Sequence, residues 1–276
     1  MLVNNSALQS VGFAKYHGLG NDYIVIDKKF GEFLSVDNII RICDVHFGVG
    51  SDGILLADLD KTDGKFAVKI FNPDGSEAEK SGNGLRIFSR YLFDCGLVKQ
   101  GEEFEISTWG GNVKSTVVDK NLIKVEMGKV NFGAINEKIT ALGDEFLFCE
   151  VNVGNPHCVI VSDDISCEIA KKYGAAIETN KRFVNRTNVQ FMKIIDRKNI
   201  RLEIWERGAG YTLASGSSSV AAAAVAKKLG FCDNEIRVSM AGGNLQLNFD
   251  EIFNATMLGA VQKISTGEIV AECFEN

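Results

Sequence analysis

The feature that most constrains the fold of this chain is an internal repeat built around two serines. Ser81 begins a short glycine-bearing stretch that runs into an apolar, helix-like segment, and Ser215 begins a second such stretch. A Gly-Leu pair follows Ser81 at the same distance as a Gly-Phe pair follows Ser215, and each copy continues to a Gly-Gly-Asn triplet. Two copies at this spacing indicate a duplicated domain and not a solenoid.

The two serine stretches also predict an anion-binding site. Ser is a favoured N-cap, and the first backbone N–H groups of a helix have no partner inside the helix. Because the helix dipole adds positive potential at this end, such a helix start can hold a carboxylate. Either stretch alone is explained by an ordinary N-cap. Two related stretches predict a shared cleft in which the Ser81 and Ser215 loops face one ligand.

The remaining pattern predicts the α+β class. Short segments rich in aromatic and β-branched residues alternate with turns, and few segments have helical spacing. We expect two sheets of mainly antiparallel strands, each wrapped around one central helix, at residues 86–95 and 220–229. The weakly patterned segment at 130–143 marks the boundary between a first domain, residues 1–130, and a second domain, residues 131–262.

Composition excludes several functional classes. The chain has 276 residues, enough for about two domains, and a net charge of −6 without a Lys/Arg cluster, so no nucleic-acid partner is expected. No segment has the length of a membrane span, and no membrane partner is expected. The seven cysteines form no CxxC pair and the start lacks a secretory signal, which predicts a cytoplasmic protein. The three histidines lack metal-site spacing, so no metal site is expected.

Six short motifs resemble those of the diaminopimelate epimerase family, in the same order and at fitting spacing from Phe13 onward. They are residues 17–22 (His-Gly-Leu-Gly-Asn-Asp), 72–77 (Asn-Pro-Asp-Gly-Ser-Glu), 82–84 (Gly-Asn-Gly), 154–157 (Gly-Asn-Pro-His), 206–210 (Glu-Arg-Gly-Ala-Gly) and 242–243 (Gly-Gly). The resemblance implies two pseudo-symmetric domains, each a mostly antiparallel barrel-like sheet around a central helix. A C-terminal strand, about residues 263–276, would return to the first domain.

The resemblance also implies an activity. The family interconverts LL- and meso-2,6-diaminopimelate by transfer of an α-proton, in the pathway to lysine and peptidoglycan precursors. It needs no cofactor, so neither pyridoxal phosphate nor a metal is expected. The expected partner is a small amino-acid substrate, and a homodimer is a possible assembly.

Roles in the site follow from the resemblance one position at a time. Backbone amides of the two loops would hold the reacting α-carboxylate, at Gly82, Asn83, Gly216 and Ser217. Glu206 would receive the α-ammonium group, and His157 would support the site from behind. The residues that would orient the substrate are Asn21, Asn72, Asn155, Asn188 and Arg207. These residue types suit a ligand with two amino-acid ends, because Arg binds carboxylates bidentately and side-chain amides offer neutral hydrogen-bonding groups.

The chain departs from the family at the two acid/base positions, where Ser81 and Ser215 stand in place of the family's two cysteines. A cysteine thiol has an ordinary pKa near 8.5, and a helix start lowers it further. A serine hydroxyl is a much weaker acid and needs a neighbouring base before it accepts a proton. None of the seven cysteines falls at a matching position. Ser81 and Ser215 are nevertheless the predicted catalytic positions.

Three functions are therefore open on the sequence. The first is a diaminopimelate epimerase, with the two serines either natural or engineered. The second is a related proton-shift isomerase or racemase that acts on another amino or carboxylic acid. The third is a catalytically impaired form that binds the ligand without turnover.

Overall fold

The computed structural model describes residues 10–274, which divide into two compact units. The first comprises residues 10–18, Asp22–Asn121 and residues 261–274, and the second comprises Leu19–Asn21 and Leu122–Ala260. The division into domains 1–130 and 131–262, with a returning strand at 263–276, stays a prediction. Residues 1–9 and 275–276 of these ranges lie outside the described residues.

Strands outnumber helices along the described chain. The strands are β1 (Ser10–Gly18), β2 (Asn21–Asp27), β3 (Ile54–Thr62), β4 (Lys65–Phe71), β5 (Glu77–Ala78), β6 (Glu103–Thr108), β7 (Gly111–Asp119), β8 (Leu122–Lys129), β9 (Asn131–Phe132), β10 (Glu137–Ala141), β11 (Asp144–Asn152), β12 (Pro156–Val161), β13 (Asn188–Asp196), β14 (Asn199–Glu206), β15 (Gly210–Thr212), β16 (Glu235–Met240), β17 (Gly243–Phe249), β18 (Asn254–Ala260) and β19 (Gln262–Val270). The α-helices are α1 (Val36–Cys43), α2 (Gly82–Asp94), α3 (Cys167–Glu178) and α4 (Gly216–Lys228), and 3-10 helices lie at Lys28–Phe33 and Ala271–Phe274.

In the first unit a sheet surrounds α2. Strand β1 pairs antiparallel with β19 and is also bonded to β2, and β2 runs parallel to β3. The sheet continues through β4, antiparallel to β3, to β6, parallel to β4, and to β7, antiparallel to β6. Helix α2 packs on β1, β3 and β7. Ten of its thirteen residues are buried, so it forms the centre of this unit.

The second unit repeats this arrangement around α4. Its strands follow the order β10, β11, β12, β13, β14, β16, β17, β18, β8. Helix α4 packs on strands β11 to β14 and β16 to β18, whereas α3 packs on β10, β13, β14 and β15. Strand β8, which precedes the predicted domain boundary, pairs with β18 inside this unit.

The two units share one connectivity, which confirms the predicted α+β class and the duplication. In each, a parallel strand pair encloses a helix: β2 and β3 enclose α1, and β12 and β13 enclose α3. A strand antiparallel to the second member of that pair follows, β4 in the first unit and β14 in the second. A short strand then pairs with it, β5 with β4 and β15 with β14. The central helix then crosses over to a parallel strand, β6 or β16, that begins a hairpin.

The predicted N-caps are confirmed, because α2 begins at Gly82, directly after Ser81, and α4 begins at Gly216, directly after Ser215. Each helix therefore starts four residues before the apolar segment, at 86 or 220, that indicated it. Glycine has low helix propensity, and glycine and serine in these stretches resembled a loop. The serines supply the missing stabilisation as N-caps, because the Ser81 Oγ accepts from the Gly84 N–H at 3.0 Å and the Ser215 Oγ from the Ser218 N–H at 3.4 Å.

The packing of α4 makes a stability prediction. Residues 220–226 of this helix are completely buried, and five of them are alanines. The change Ala223→Leu inserts three carbon atoms into a filled core and should lower the free energy of unfolding by about 1–3 kcal/mol. Urea unfolding of the variant measures this loss. The matched control is Ala175→Leu on the exposed side of α3, which should change stability little. Equal stability of the two variants would contradict the description of α4 as a tightly packed central helix.

Candidate functional site

The first unit provides one N-capped helix start. Ser81 is half-buried with an extended backbone, and Gly82 and Asn83 form the buried first turn of α2. Besides accepting from Gly84, the Ser81 Oγ lies 3.3 Å from the phenolic oxygen of Tyr23. Tyr23 was not predicted as a site residue, although it directly follows the Asn-Asp pair of the first motif. The Ser81 hydroxyl therefore has both a backbone amide and a second hydroxyl within hydrogen-bonding distance.

A buried cation lies behind this helix start. The Arg86 guanidinium is completely buried and donates from Nη2 to Asn83 Oδ1 at 2.7 Å and from Nη1 to Gly82 O at 3.3 Å. Burial lowers the pKa of Arg86 to about 10, so the group is still charged at neutral pH. Its charge adds to the positive end of the helix dipole. Arg86 was not predicted as a site residue.

Asn72 lies in a tight turn after β4. Its backbone N–H donates to Ser76 O at 2.9 Å, and its Nδ2 donates to Ser76 Oγ at 3.0 Å. Gly75 closes the turn with φ +83°, a value that favours glycine, and donates to Asn72 O at 3.0 Å. This turn corresponds in connectivity to residues 207–209 of the second unit, because both connect the paired strands that precede the central helix.

The second unit provides the other N-capped helix start. Ser215 is 5% exposed, and its carbonyl oxygen accepts from the Ser219 Oγ at 2.7 Å. The Ser218 Oγ accepts from Gln190 Nε2 at 3.0 Å, which connects the first turn of α4 to β13. Ser215 caps the helix, whereas Ser218, in the serine run 217–219, bonds the first turn of the helix to a neighbouring strand.

A polar network at the start of β12 and β13 surrounds His157. The two strands are parallel, and their register places His157 beside Asn188. The His157 ring is completely buried, with Nε2 2.8 Å from Asn155 Oδ1 and Nδ1 3.1 Å from Gln190 Nε2. Asn188 donates from Nδ2 to Pro156 O at 2.9 Å. Three predicted residues, Asn155, His157 and Asn188, are thus brought together with Gln190, which was not predicted.

The turn after β14 holds Glu206 and Arg207. Glu206 Oε1 accepts from Thr212 Oγ1 at 3.1 Å. The backbone N–H of Arg207 donates to Asn188 Oδ1 at 3.0 Å, and its Nη1 donates to Asn185 O at 3.2 Å. These contacts attach the turn to the His157 network, so Glu206 and Arg207 share a polar region with Asn155 and Asn188.

Glu178 fixes this turn from the end of α3. Its buried carboxylate accepts from Trp205 Nε1 at 2.7 Å and from the Gly208 N–H at 2.9 Å, and it lies 2.6 Å from Arg186 Nη2. The contacts secure the chain on both sides of residues 206–207. The sequence contains no signal for this role, because Glu178 is 30 residues from Gly208 along the chain.

The two remaining motifs, at 17–22 and 242–243, both contribute residues to the second unit. Asn21 lies at the start of β2, directly after Gly20, and residues 19–21 are part of this unit. Gly242 donates its backbone N–H to Leu213 O at 2.8 Å, and a Cβ at Gly242 would collide with Leu19 O. The Gly-Gly motif at 242–243 is therefore needed because the loop carrying Asn21 approaches the backbone closely.

Burial of His157 predicts a loss of stability in mild acid. Burial is the main cause that lowers the pKa of His157 to about 3, and the nearby Arg207 charge acts in the same direction. In the unfolded chain a histidine has a pKa near 6.5, so below that pH the unfolded state binds a proton that the folded state does not. Between about pH 6.5 and pH 5 this residue should reduce the free energy of unfolding by about 1.5–2 kcal/mol.

Urea unfolding across this pH range measures the effect. His157→Gln should lose that part of the pH dependence, whereas His46→Gln, at an exposed histidine, should keep it. The same pH slope in His157→Gln and in the unmodified protein would contradict a neutral, buried imidazole.

Comparison with known proteins identifies the family. Residues 13–133 and 149–264 match the family model described as diaminopimelate epimerase. The chain belongs to the diaminopimelate epimerase family. It is 52% identical to diaminopimelate epimerase 2 of a Nostoc species over 95% of this chain and 96% of the relative. It is 35% identical to the diaminopimelate epimerase of Carboxydothermus hydrogenoformans over 93% of this chain and 98% of that protein.

Solved structures show the same fold at low sequence identity. A hydroxyproline epimerase from Agrobacterium vitis aligns with a TM-score of 0.74 and 13% identity, over 95% of this chain and 93% of that one. A phenazine biosynthesis protein of the PhzF family from Bacillus anthracis aligns with a TM-score of 0.71 and 14% identity, over 95% of this chain and 100% of that one. These likenesses support the two-domain α+β epimerase fold. Among residues 10–274, no helix is long and apolar enough to cross a membrane.

Membership of the diaminopimelate epimerase family confirms the resemblance and favours the first of the three functions. The chain is therefore an amino-acid epimerase by family. The roles assigned to individual residues, including Ser81 and Ser215 as the acid/base positions, stay predictions.

Proposed function

We propose that the protein binds LL- and meso-2,6-diaminopimelate and that it epimerises the substrate by cofactor-independent transfer of the α-proton. The observation that carries this proposal is the pair of N-capped helix starts, at Ser81 and at Ser215, in a chain of this family. Each offers backbone N–H groups in the first turn of a central helix, from Gly82 and Asn83 in one and from Gly216 and Ser217 in the other. Such groups are suited to hold one α-carboxylate.

Holding the carboxylate serves the chemistry as well as binding. When the α-proton leaves, negative charge moves from the α-carbon into the carboxylate oxygens. Backbone N–H groups fixed by the helix need no reorganisation to stabilise that charge, and the buried Arg86 guanidinium adds positive potential behind Gly82 and Asn83. In this proposal Glu206, which accepts from Thr212 Oγ1, would receive the substrate α-ammonium group.

The polar groups of the second unit suit the distal amino-acid end. The Arg207 guanidinium offers a charged fork for the distal carboxylate. Asn155 uses its oxygen to accept from His157, which leaves its amide N–H groups for the ligand. Asn188 holds Pro156 O and the Arg207 N–H, so it acts mainly by fixing its neighbours. Asn21 and Asn72 complete the proposed set of orienting side chains.

Inversion at the α-carbon needs one group to remove the proton and another to return a proton to the opposite face. We assign these positions to Ser81 and Ser215. Because a serine hydroxyl is a much weaker acid than a thiol, the chain should exchange the α-proton very slowly unless a neighbouring group assists. We further propose a cytoplasmic enzyme that assembles as a homodimer. Seven free cysteines support the location, and light scattering would test the assembly.

Calorimetry tests the substrate assignment. Both diaminopimelate isomers should bind, and lysine, which lacks the distal carboxylate, should bind about tenfold to a hundredfold more weakly because it forfeits charge-assisted hydrogen bonds. Proline, with one amino-acid end, serves as the second comparison. Affinity for lysine or proline equal to that for diaminopimelate would reject the proposed substrate.

A further inference from the structure

Gln190 is a completely buried polar residue at the centre of the second unit's polar network. It lies on β13, two residues after Asn188, and none of the roles described above includes it. Its amide nitrogen donates to His157 Nδ1 at 3.1 Å and to Ser218 Oγ at 3.0 Å. Its Oε1 has no hydrogen-bond partner among residues 10–274. A buried amide with this imbalance needs an explanation, because an unpaired buried acceptor costs free energy.

The contacts of His157 explain the orientation of the amide. Asn155 Oδ1 can only accept, so the His157 Nε2 next to it carries the proton. The neutral ring then has a bare Nδ1, which needs a donor, and the Gln190 N–H₂ group supplies it. Reversing the Asn155 and Gln190 amides together would also form these bonds. In that arrangement, however, the two N–H groups of the Gln190 amide would be buried without acceptors, whereas in the present one only its carbonyl oxygen lacks a partner. Buried N–H groups without an acceptor are rarer in proteins than buried carbonyl oxygens without a donor.

The orientation of Gln190 has consequences at both ends of the network. With its oxygen engaged by His157, Asn155 has only its N–H₂ donors left, and donors suit a carboxylate. At the other end, Ser218 receives a hydrogen bond from Gln190 and donates its backbone N–H to Ser215 Oγ. One buried amide thus determines the polarity of the Asn155 side chain and also attaches the first turn of α4.

We propose that Gln190 is a positioning residue: it fixes His157 as the Nε2–H tautomer and thereby presents Asn155 to the ligand as a hydrogen-bond donor. The identity of that ligand, a diamino dicarboxylic acid, rests on the proposed function. The tautomer does not, because it follows from contacts among residues of one unit.

The first test is ¹⁵N NMR of the histidine rings in the unmodified protein at neutral pH. The chain has three histidines, and His157→Gln identifies the signals of His157. We expect a protonated Nε2 and an unprotonated Nδ1 for this ring. A protonated Nδ1 would overturn the inference whether or not the protein turns over any substrate.

The second test is a double-mutant cycle on affinity for meso-diaminopimelate, measured by calorimetry. Gln190→Met keeps the size of the side chain but removes its donors, and should weaken binding about tenfold by freeing the ring and the Asn155 amide. In an Asn155→Ala background the same change should cost less than about twofold, because its effect acts through Asn155. Gln246→Met, at an exposed position on β17, is the matched control and should leave affinity unchanged.

The outcomes separate the inference from the proposed function. If Gln190→Met weakened binding equally in the unmodified protein and in the Asn155→Ala variant, the effect would be a general structural one. That result would overturn the positioning role. Failure of the unmodified protein to bind diaminopimelate would reject the proposed substrate, and the NMR signals of His157 would then decide the inference alone.

Discussion

Changing both Ser81 and Ser215 to Cys is expected to raise the rate of α-proton exchange on diaminopimelate by about 10²–10⁴-fold, the usual contribution of a positioned acid/base group. In the proposed site the carboxylate-holding amides and the orienting side chains would stay as they are, so the variant would change only the proton-transfer groups. Each new thiol would lie at a helix N-terminus, where the pKa of a thiol is lowered and a thiolate becomes available near neutral pH. Deuterium incorporation from heavy water, followed by NMR at the α-carbon, measures the rate.

The single variants and a matched control make this result specific. Ser81→Cys or Ser215→Cys alone should give inefficient epimerisation, because inversion needs a group on each face of the α-carbon. Ser162→Cys, which adds a thiol elsewhere in the second unit, should have no effect. If the double variant binds the ligand but exchanges no faster than the unmodified protein, the two serines do not occupy the acid/base positions. Fast exchange in the unmodified protein would instead show that the two serines, or another base, already transfer the proton.

Arg207→Ala is expected to weaken binding of meso-diaminopimelate by about 1.5–3 kcal/mol, the typical contribution of a charge-assisted hydrogen bond. The structure holds the backbone of Arg207 through Asn188 and one guanidinium nitrogen through Asn185 O, so its side chain is partly pre-positioned. Calorimetry with the isolated variant measures the loss. The change should affect affinity more than the exchange rate, because the distal carboxylate lies away from the reacting carbon.

Arg237→Ala is the matched control for this prediction. Arg237 is an exposed arginine on β16 in the same unit, and removing it changes the net charge equally. It should leave affinity unchanged. Equal losses in the two variants would show that only the overall charge matters, and no loss in Arg207→Ala would remove this residue from the site.

The general architecture was predictable because a repeat constrains topology more than any single segment does. The matched spacing around Ser81 and Ser215 indicated a duplication, and both units have the same order of parallel and antiparallel pairings. The apolar segments at 86–95 and 220–229 alone placed the starts of α2 and α4 too late, for a physical reason. Glycine and serine predict loops by propensity, but here a side-chain cap and burial against the surrounding strands override that preference.

The supporting contacts of the site were not predictable from the sequence. Gln190 bonds to Ser218, which is 28 residues away, and Glu178 bonds to Gly208, which is 30 residues away. A glutamine on a strand and a glutamate at a helix end carry no local pattern that indicates such partners. The motif residues themselves could be recognised, because turns and helix starts have characteristic side chains. The groups that hold the motifs in place depend on which strands become neighbours.

The most direct test of the central claim is a crystal structure of the protein with bound meso-diaminopimelate. We expect the α-carboxylate of one end to accept hydrogen bonds from backbone N–H groups of both helix starts, at Gly82 and Asn83 and at Gly216 and Ser217. The hydroxyls of Ser81 and Ser215 should then lie on opposite faces of the same α-carbon. A carboxylate held by only one helix start, or a ligand bound away from both, would contradict the account.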